Sequence, residues 1–197
     1  QRLTNANQEA AVRYALLHWR FFDYFVGEET NWLAPDNFQE DPAPLVAMRT
    51  SPTNIGLQLM AIATAAELGF ISVEEMTGRL EKAFRSLERM RRFRGHFYNW
   101  YELHSLTVLE PAYISTVDSG NRAGHLGAVA NACRDGQENG AGEARYRKGL
   151  ADIAAIAGEE VTCLSPSGTP PQGLQKVGAA LAAISARLAQ AQGEDAL

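Results

Sequence analysis

The chain has 197 residues, a formal net charge of −5 at pH 7 and a hydrophobic fraction of 46%. This apolar fraction is enough for a packed core, so the composition excludes a wholly disordered chain. The acidic balance argues against a dedicated nucleic-acid binder and against attachment to an anionic membrane surface. No run of about 18 apolar residues occurs, so we expect no membrane-spanning segment.

The N-terminal sequence and the cysteines give further expectations about context. The opening residues QRLTNANQEA lack the basic, apolar and small-residue sections of a signal peptide. They also lack an initiator Met, so we expect a piece of a longer protein. Cys133 and Cys163 fit no metal spacing with each other or with the histidines, so we expect no metal site. We interpret both cysteines as reduced thiols of a cytosolic protein, with a disulfide as the less favoured alternative.

Apolar residues that recur at helical spacing predict six helices in a single domain over residues 1–197. The predicted helices lie, in chain order, at residues 5–26, 51–69, 72–93, 118–136, 143–157 and 174–192. The second is capped by Ser51 and is apolar on nearly every face, so we expect it to be buried. The fourth is capped by Asp118 or Ser119 and is also predicted to be buried.

The third predicted helix is amphipathic and is expected to lie outside the second, so that the two form an αα-hairpin. Three ion pairs at i,i+4 spacing are expected on its solvent-exposed face: Glu75–Arg79, Glu81–Arg85 and Glu88–Arg92. The fold class that follows is all-α, built from such hairpins, with alternating inner and outer helices.

Three segments between the helices lack helical periodicity. Residues 28–50 are rich in Pro, Asn and Asp, and we expect a long ordered loop with a functional role. Residues 103–117 have some β character, which predicts a small hairpin. Residues 159–173 are predicted to form a second loop.

Four segments that are both polar and aromatic precede helices or stand at their starts, at residues 31–40, 49–54, 95–102 and 115–121. In an αα-toroid the loops before the inner helices gather at one end and form one concave surface. Aromatic faces stack on a pyranose ring, while carboxylates, amides and Arg bind its hydroxyls. The pattern therefore favours a sugar site.

Each of these residues also has a structural interpretation. Four aromatics are more readily placed in the core than in a site, namely Trp32, Phe38, Phe97 and Tyr101. Tyr98 and Trp100 are evenly balanced between the two roles because their neighbours are polar. Asp118 serves equally well as a helix N-cap, and Arg49 equally well as the ion-pair partner of Asp36 or Glu40.

Two further patterns are weaker. Glycoside chemistry needs two carboxyl groups across one bond, and the candidates by type are Glu28, Glu29, Asp36, Glu40, Glu102 and Asp118. Nothing in their spacing selects a pair. The basic run RMRRFRGH beside aromatics is compatible with nucleic acid, but a helix C-terminus explains it better in an acidic chain.

The four segments carry a family resemblance. The blocks TNWLAPDNFQE, RTSPTNIGL, RFRGHFYNWYE and STVDSGNRAGHL resemble the glucoamylase-like cyclisation region of cyclic β-1,2-glucan synthases. The resemblance covers roughly residues 29–126, and four blocks match in order. It implies the N-terminal part of an (α/α)6 toroid, incomplete in this chain.

The resemblance also implies a function. The toroid would close a β-1,2-glucan chain into a ring by retaining transglycosylation, within a bacterial inner-membrane enzyme whose toroid lies in the cytoplasm. UDP-glucose would be used by another domain, and this part would need no cofactor. The catalytic residues are expected beyond Leu197, so the isolated chain is expected to be inactive.

What carries over by position is a substrate-binding role for the polar and aromatic residues of the four blocks. They are Asp36, Asn37, Gln39, Arg49, Asn54, Tyr98, Asn99, Trp100 and Asp118. The implied partners are a β-1,2-glucan chain, the rest of the toroid and the other domains of the same polypeptide. We expect no nucleic acid and no membrane contact by this segment, and association of the isolated piece through exposed apolar surface.

Two competing hypotheses stay open at this point. A non-catalytic helical scaffold would direct the aromatics into the core and would present any exposed apolar surface to a partner. Part of an inverting β-1,2-glucanase would share the fold and differ in chemistry.

Overall fold

The computed structural model of the chain describes residues 4–139, 142–164 and 171–194. Within these ranges the chain is all-α, with helices α1 (Asn5–Phe25), α2 (Pro52–Glu67), α3 (Val73–Arg89), α4 (Thr116–Asn139), α5 (Gly142–Cys163) and α6 (Gln172–Glu194). The strands are β1 (Phe38–Gln39), β2 (Leu45–Val46), β3 (Arg49–Thr50), β4 (Arg92–Phe93), β5 (His96–Phe97) and β6 (Tyr101–Glu102). The all-α class is confirmed, and six helices are what an incomplete toroid would contain.

The chain divides into two compact units. The site unit comprises His18–Thr64 and Glu74–Asn139, and the terminal unit comprises Gln1–Leu17, Ala65–Val73 and Gly140–Leu197. Each is described by itself below. The single domain over residues 1–197 stays a prediction.

The core of the site unit forms around α2. Ser51 caps this helix by accepting a hydrogen bond from the Asn54 backbone N–H at 3.2 Å. Ile55 and Leu59 on α2 are fully buried, as is Leu103 after β6. The predicted burial of this apolar helix is therefore confirmed for most of its residues, with Leu57 exposed.

The outer helix α3 ends earlier than its sequence predicts. Glu75–Arg79 and Glu81–Arg85 form ion pairs at 2.7 and 3.6 Å, as expected. The third predicted pair, Glu88–Arg92, is wrong, because α3 stops at Arg89 and Arg92 lies in β4. The Arg92 guanidinium instead donates to the Leu87 carbonyl at 3.0 Å, which stabilises the helix C-terminus.

The small hairpin also lies elsewhere in the chain. Strands β4 and β5 pair antiparallel, with Arg92 opposite Phe97, and positive φ angles at Arg94 and Gly95 make the turn. Of residues 103–117, Val108 pairs across an isolated bridge with Tyr101. The hairpin predicted over 103–117 is therefore shifted: residues 107–109 pair with residues 100–102, and a second hairpin follows α3.

Helix α4 begins two residues before Asp118 and is capped by a different residue. The Ser115 hydroxyl accepts a hydrogen bond from the Asp118 backbone N–H at 3.1 Å, so Ser115 is the N-cap and Asp118 stands in the first turn. The prediction of a buried helix is wrong for the described side chains, since Val117 is 70% exposed and Val129 is the buried apolar residue.

In the terminal unit, α5 and α6 pack against each other. Ser185 on α6 donates to the Ala151 carbonyl on α5 at 3.0 Å. The loop predicted over residues 159–173 is shorter than expected, because α5 continues to Cys163 and α6 begins at Gln172. Gly158 lies within α5 and faces Leu181 of α6. Residues 165–170 of that predicted loop lie outside the described residues.

Two observations, on the cysteines and on the hydrophobicity of the helices, complete the fold. Cys133 and Cys163 are both free thiols, as predicted. None of the helices in the described ranges is long and apolar enough to cross a membrane.

Candidate functional site

A buried glutamine holds the start of the long loop against α2. Gln58 is 1% exposed, and its amide donates to the Trp32 carbonyl at 2.8 Å and accepts from the Ala34 backbone N–H at 2.7 Å. These bonds satisfy two backbone groups that would otherwise be buried without partners. They therefore fix the backbone two residues before Asp36.

A second amide, that of Asn31, ties the start of the loop to two other parts of the site unit. Asn31 has a φ of 52°, a conformation that Asn tolerates better than most residues. Its side chain donates to the carbonyls of Leu103 at 2.6 Å and His104 at 2.9 Å, and it accepts from Arg89 at 2.8 Å. The loop is thereby tied to α3 and to the segment after β6.

Asp36 is the centre of a hydrogen-bonded polar cluster. Its carboxylate accepts from Arg49 at 2.9 and 3.2 Å, from Asn54 at 3.0 Å and from Asn37 at 3.1 Å. Both oxygens are occupied and the side chain is only 17% exposed. Asp36 therefore positions Arg49 and Asn54, which confirms the ion-pair interpretation of Arg49.

Arg49 links this cluster to Trp100. Strand β3 pairs with β6, with Arg49 opposite Glu102 and Thr50 opposite Tyr101. The Arg49 guanidinium carbon lies 4.6 Å from the centre of the Trp100 ring, a cation–π contact. The Arg49 side chain is half exposed, so part of its donor set faces solvent.

Asn99 joins Trp100 to α4. With its amide turned so that the NH2 group faces Asp118, Asn99 donates to Asp118 Oδ2 at 2.9 Å. Its oxygen then accepts from Trp100 Nε1 at 2.6 Å and from the Tyr113 hydroxyl at 2.7 Å. Its backbone N–H donates to the Tyr113 carbonyl at 2.9 Å. Asn99 is 6% exposed, so a buried side chain orients Trp100, Tyr113 and Asp118.

Asp118 retains free acceptor capacity. It stands in the first turn of α4, where the helix dipole favours a negative charge. Asn99 occupies its Oδ2, and among the described residues no hydrogen bond reaches its Oδ1. Nearby on the same helix, Asn121 donates to Thr53 at 3.3 Å, which links α4 to the start of α2.

The four predicted blocks therefore meet in one place, and seven of the nine predicted residues contribute to it. They are Asp36, Asn37, Arg49, Asn54, Asn99, Trp100 and Asp118. Their substrate-binding role stays a prediction. Two predicted residues are placed differently. Tyr98 is buried at 8% exposure, with its ring 6.5 Å from that of Tyr101. Gln39 is exposed on β1 and donates to the Asp41 carbonyl at 2.9 Å within its own loop.

The aromatics divide between core and surface. Phe97 and Tyr101 are 1% and 0% exposed, which confirms their predicted place in the core. Phe38 is 36% exposed, so its core assignment is wrong; its ring lies 5.0 Å from that of Phe25. Trp32 is half-buried, with the Lys82 ammonium 3.8 Å from its ring centre.

Tyr113 is the cluster residue that sequence reasoning missed. It is 48% exposed, and both its hydroxyl and its carbonyl bind Asn99. Its place two residues before the Ser115 cap is the signal that could have found it, because side chains next to an inner-helix start were expected at the site.

Glu102, one of the candidate carboxylates, has a structural role. Its oxygens accept from the backbone N–H groups of His104 at 3.0 Å and Ser105 at 2.7 Å, and from the Ser105 hydroxyl at 2.6 Å. Partial burial raises the pKa of Glu102, but the hydrogen bonds from Ser105 and His104 outweigh it and the net pKa is lowered. The carboxylate closes the turn after β6.

Comparison with known proteins identifies relatives of this chain. No family model matches it. Over 142 residues, 72% of this chain, it is 47% identical to the cyclic β-(1,2)-glucan synthase NdvB of Rhizobium meliloti (strain 1021). The chain therefore belongs among the homologues of β-glucan-processing enzymes. More particularly, it is a homologue of a cyclic β-(1,2)-glucan synthase, which confirms the resemblance seen in the four blocks. The chain spans 5% of that relative's length.

Solved structures show weaker similarity. A putative glucoamylase from Bacteroides fragilis has a TM-score of 0.47 at 17% identity, covering 95% of this chain and 36% of that one. An endo-β-1,2-glucanase from Chitinophaga pinensis, in complex with sophorotriose and glucose, has a TM-score of 0.41 at 18% identity, with coverage of 95% and 36%. TM-scores below 0.5 do not establish a shared fold.

Proposed function

We propose that this chain forms part of a β-1,2-glucan-binding groove in a larger cyclic β-1,2-glucan synthase. Trp100, Arg49 and Asp118 would contact the sugar. The observation that carries the proposal is the Asn99 network, which holds Trp100 and Asp118 on either side of one buried amide. The identity to the synthase supports the choice of glucan.

The chemistry of these side chains suits a neutral sugar. Asp118 Oδ1 offers an acceptor and Arg49 offers exposed donors, which matches the paired donor and acceptor character of vicinal hydroxyls. A hydrogen bond between a sugar hydroxyl and a charged group contributes about 1.5–3 kcal/mol. Arg49 covers one face of the Trp100 ring, so sugar contact falls to the remaining accessible part of the indole.

The chemical step lies outside this chain in our proposal. Asp36 and Glu102 are engaged in structural hydrogen bonds, so neither is offered as a catalytic acid. The acid and nucleophile, and the use of UDP-glucose, would belong to parts of the polypeptide beyond Leu197. The whole protein would close the glucan by retaining transglycosylation, with this region in the cytoplasm.

Calorimetry with linear β-1,2-glucan on the complete toroid tests the groove. Asp118→Asn should weaken binding about tenfold, because a lost charge-assisted bond is worth about 1.5 kcal/mol or more. Trp100→Ala should weaken it as well. Glu88→Gln, an exposed carboxylate change on α3, is the matched control and should bind like the wild type. Unchanged affinity in Asp118→Asn and Trp100→Ala would contradict the proposal.

A scaffold role has one observation in its favour. The site unit exposes Tyr24, Leu45 and Phe93 by 83%, 61% and 51%. If these residues serve a partner and the groove is inert, glucan will not bind to the wild type. An inverting β-1,2-glucanase would instead bind the glucan and release products of inverted anomeric configuration, which NMR of the products distinguishes.

A further inference from the structure

Two arginines from different elements converge on one buried ring. Phe97 of β5 is 1% exposed. The guanidinium carbon of Arg92, from β4, lies 4.4 Å from the ring centre, and that of Arg122, from α4, lies 4.2 Å from it. Two positive charges are therefore gathered around an apolar side chain.

These two charges lack a carboxylate partner, in contrast to those of three other arginines of the site unit. Arg49, Arg79 and Arg85 each form an ion pair with Asp or Glu. Among the described residues, neither Arg92 nor Arg122 has an acidic partner within ion-pair distance, and the bond that Arg92 makes goes to the Leu87 carbonyl.

Arg122 is the more exceptional of the two. Its Nε is buried and has no hydrogen-bond partner within the part of the chain that the structure describes. Burial, and after it the positive charge of Arg92, lowers the pKa of Arg122. Leaving a donor of a charged group buried without a partner is costly, and the cation–π contact with Phe97 offsets only part of that cost.

We propose that Arg92 and Arg122 form an oxyanion-binding site beside Phe97, which takes a carboxylate or a phosphate group. The guanidinium fork matches both groups with paired N–H donors, and an anion would relieve the repulsion between the two cations. The anion has two sources, a free phosphate-type ligand or an Asp or Glu side chain from polypeptide outside this chain. The inference is independent of the glucan-binding proposal, because glucan hydroxyls are neutral.

Thermal unfolding of the 197-residue chain with inorganic phosphate or sodium acetate, at constant ionic strength, tests the site. We expect a saturable rise in Tm for the wild type with at least one of the two anions. Arg122→Gln should weaken the apparent affinity at least tenfold. Arg85→Gln is the control, since Arg85 is 77% exposed and pairs with Glu81 on α3. A non-saturable response, or equal responses of the two variants, would overturn the site.

Replacement variants and a titration of the full-length protein complete the experiment. If Arg122→Gln does not fold, Arg92→Gln and Arg122→Lys replace it; both should keep the helical circular dichroism signal and still bind the anion more weakly than the wild type. The same titration on the full-length protein distinguishes the sources. Anion affinity at least tenfold below that of the 197-residue chain indicates a carboxylate of the protein itself in the site, and equal affinity indicates a free anion.

Discussion

The amide of Asn99 donates to Asp118 Oδ2 at 2.9 Å while its oxygen accepts from Trp100 Nε1 at 2.6 Å. One buried side chain thus sets the direction of the principal aromatic and of the principal carboxylate of the candidate groove. Asn99 is protected from solvent, whereas Trp100 and Asp118, which it positions, are partly exposed.

Asn99→Ala should therefore reduce both stability and glucan binding. Removing a buried amide that makes three side-chain hydrogen bonds should lower the free energy of unfolding by about 1–3 kcal/mol. Water can replace some of these bonds at the partners that are exposed, which limits the loss. Urea unfolding measures the stability change. Asn131→Ala, an exposed amide change on α4, should shift stability by less than about 0.5 kcal/mol. Equal effects of the two changes would contradict the role of Asn99.

Gln58→Leu should destabilise the site unit by about 1–3 kcal/mol, because it leaves the Trp32 carbonyl and the Ala34 N–H buried without their partner. Chemical denaturation gives the free energy of unfolding. Leu57→Ala on the same helix is the control, since Leu57 is 47% exposed and should cost much less. A neutral Gln58→Leu would mean that water replaces the amide.

Gly56→Ala should destabilise although Ala favours helices. A Cβ at this position would collide with the His125 imidazole, with its Nδ1 nearest and its Cγ 3.1 Å away, so α4 could not keep its approach to α2. Gly78→Ala on α3 has open space around it and should stabilise by about 0.5–1 kcal/mol. The contrast in Tm between the two variants is the measurement. Stabilisation by both would show that His125 moves aside without cost.

Acid stability should depend on Glu102. Its folded-state pKa is lowered, so the unfolded chain binds its proton more readily. The stabilisation is present above the unfolded pKa of 4.5 and is lost as the pH falls through the folded value. Glu102→Gln should therefore narrow the difference in unfolding free energy between pH 7 and pH 3. Glu88→Gln, an exposed carboxylate change on α3, is the matched control. If Glu102→Gln leaves the difference between pH 7 and pH 3 unchanged, Glu102 does not contribute to acid stability.

Local patterns predicted the helices well, because their determinants lie within a few residues. The Ser51 cap and the Glu75–Arg79 pair are both observed, and each joins positions three or four residues apart. Predictions failed where a local competitor was decisive. Ser115 caps α4 ahead of Asp118, and the turn at Arg94 and Gly95 follows the end of α3, so Arg92 lies in a strand.

The sequence by itself determined the helical class, the capped start of α2 at Ser51 and the four blocks that mark the family. Only the tertiary structure decided which side chains of those blocks face each other. The antiparallel pairing of β3 with β6 places Arg49 against Trp100, and the approach of α4 to Asn99 supplies Asp118. Those contacts join residues far apart in the chain, and packing turned Tyr98 into the core and left Trp100 partly open. No local pattern encodes contacts between such distant segments, so only the packed chain shows that Trp100 rather than Tyr98 is accessible.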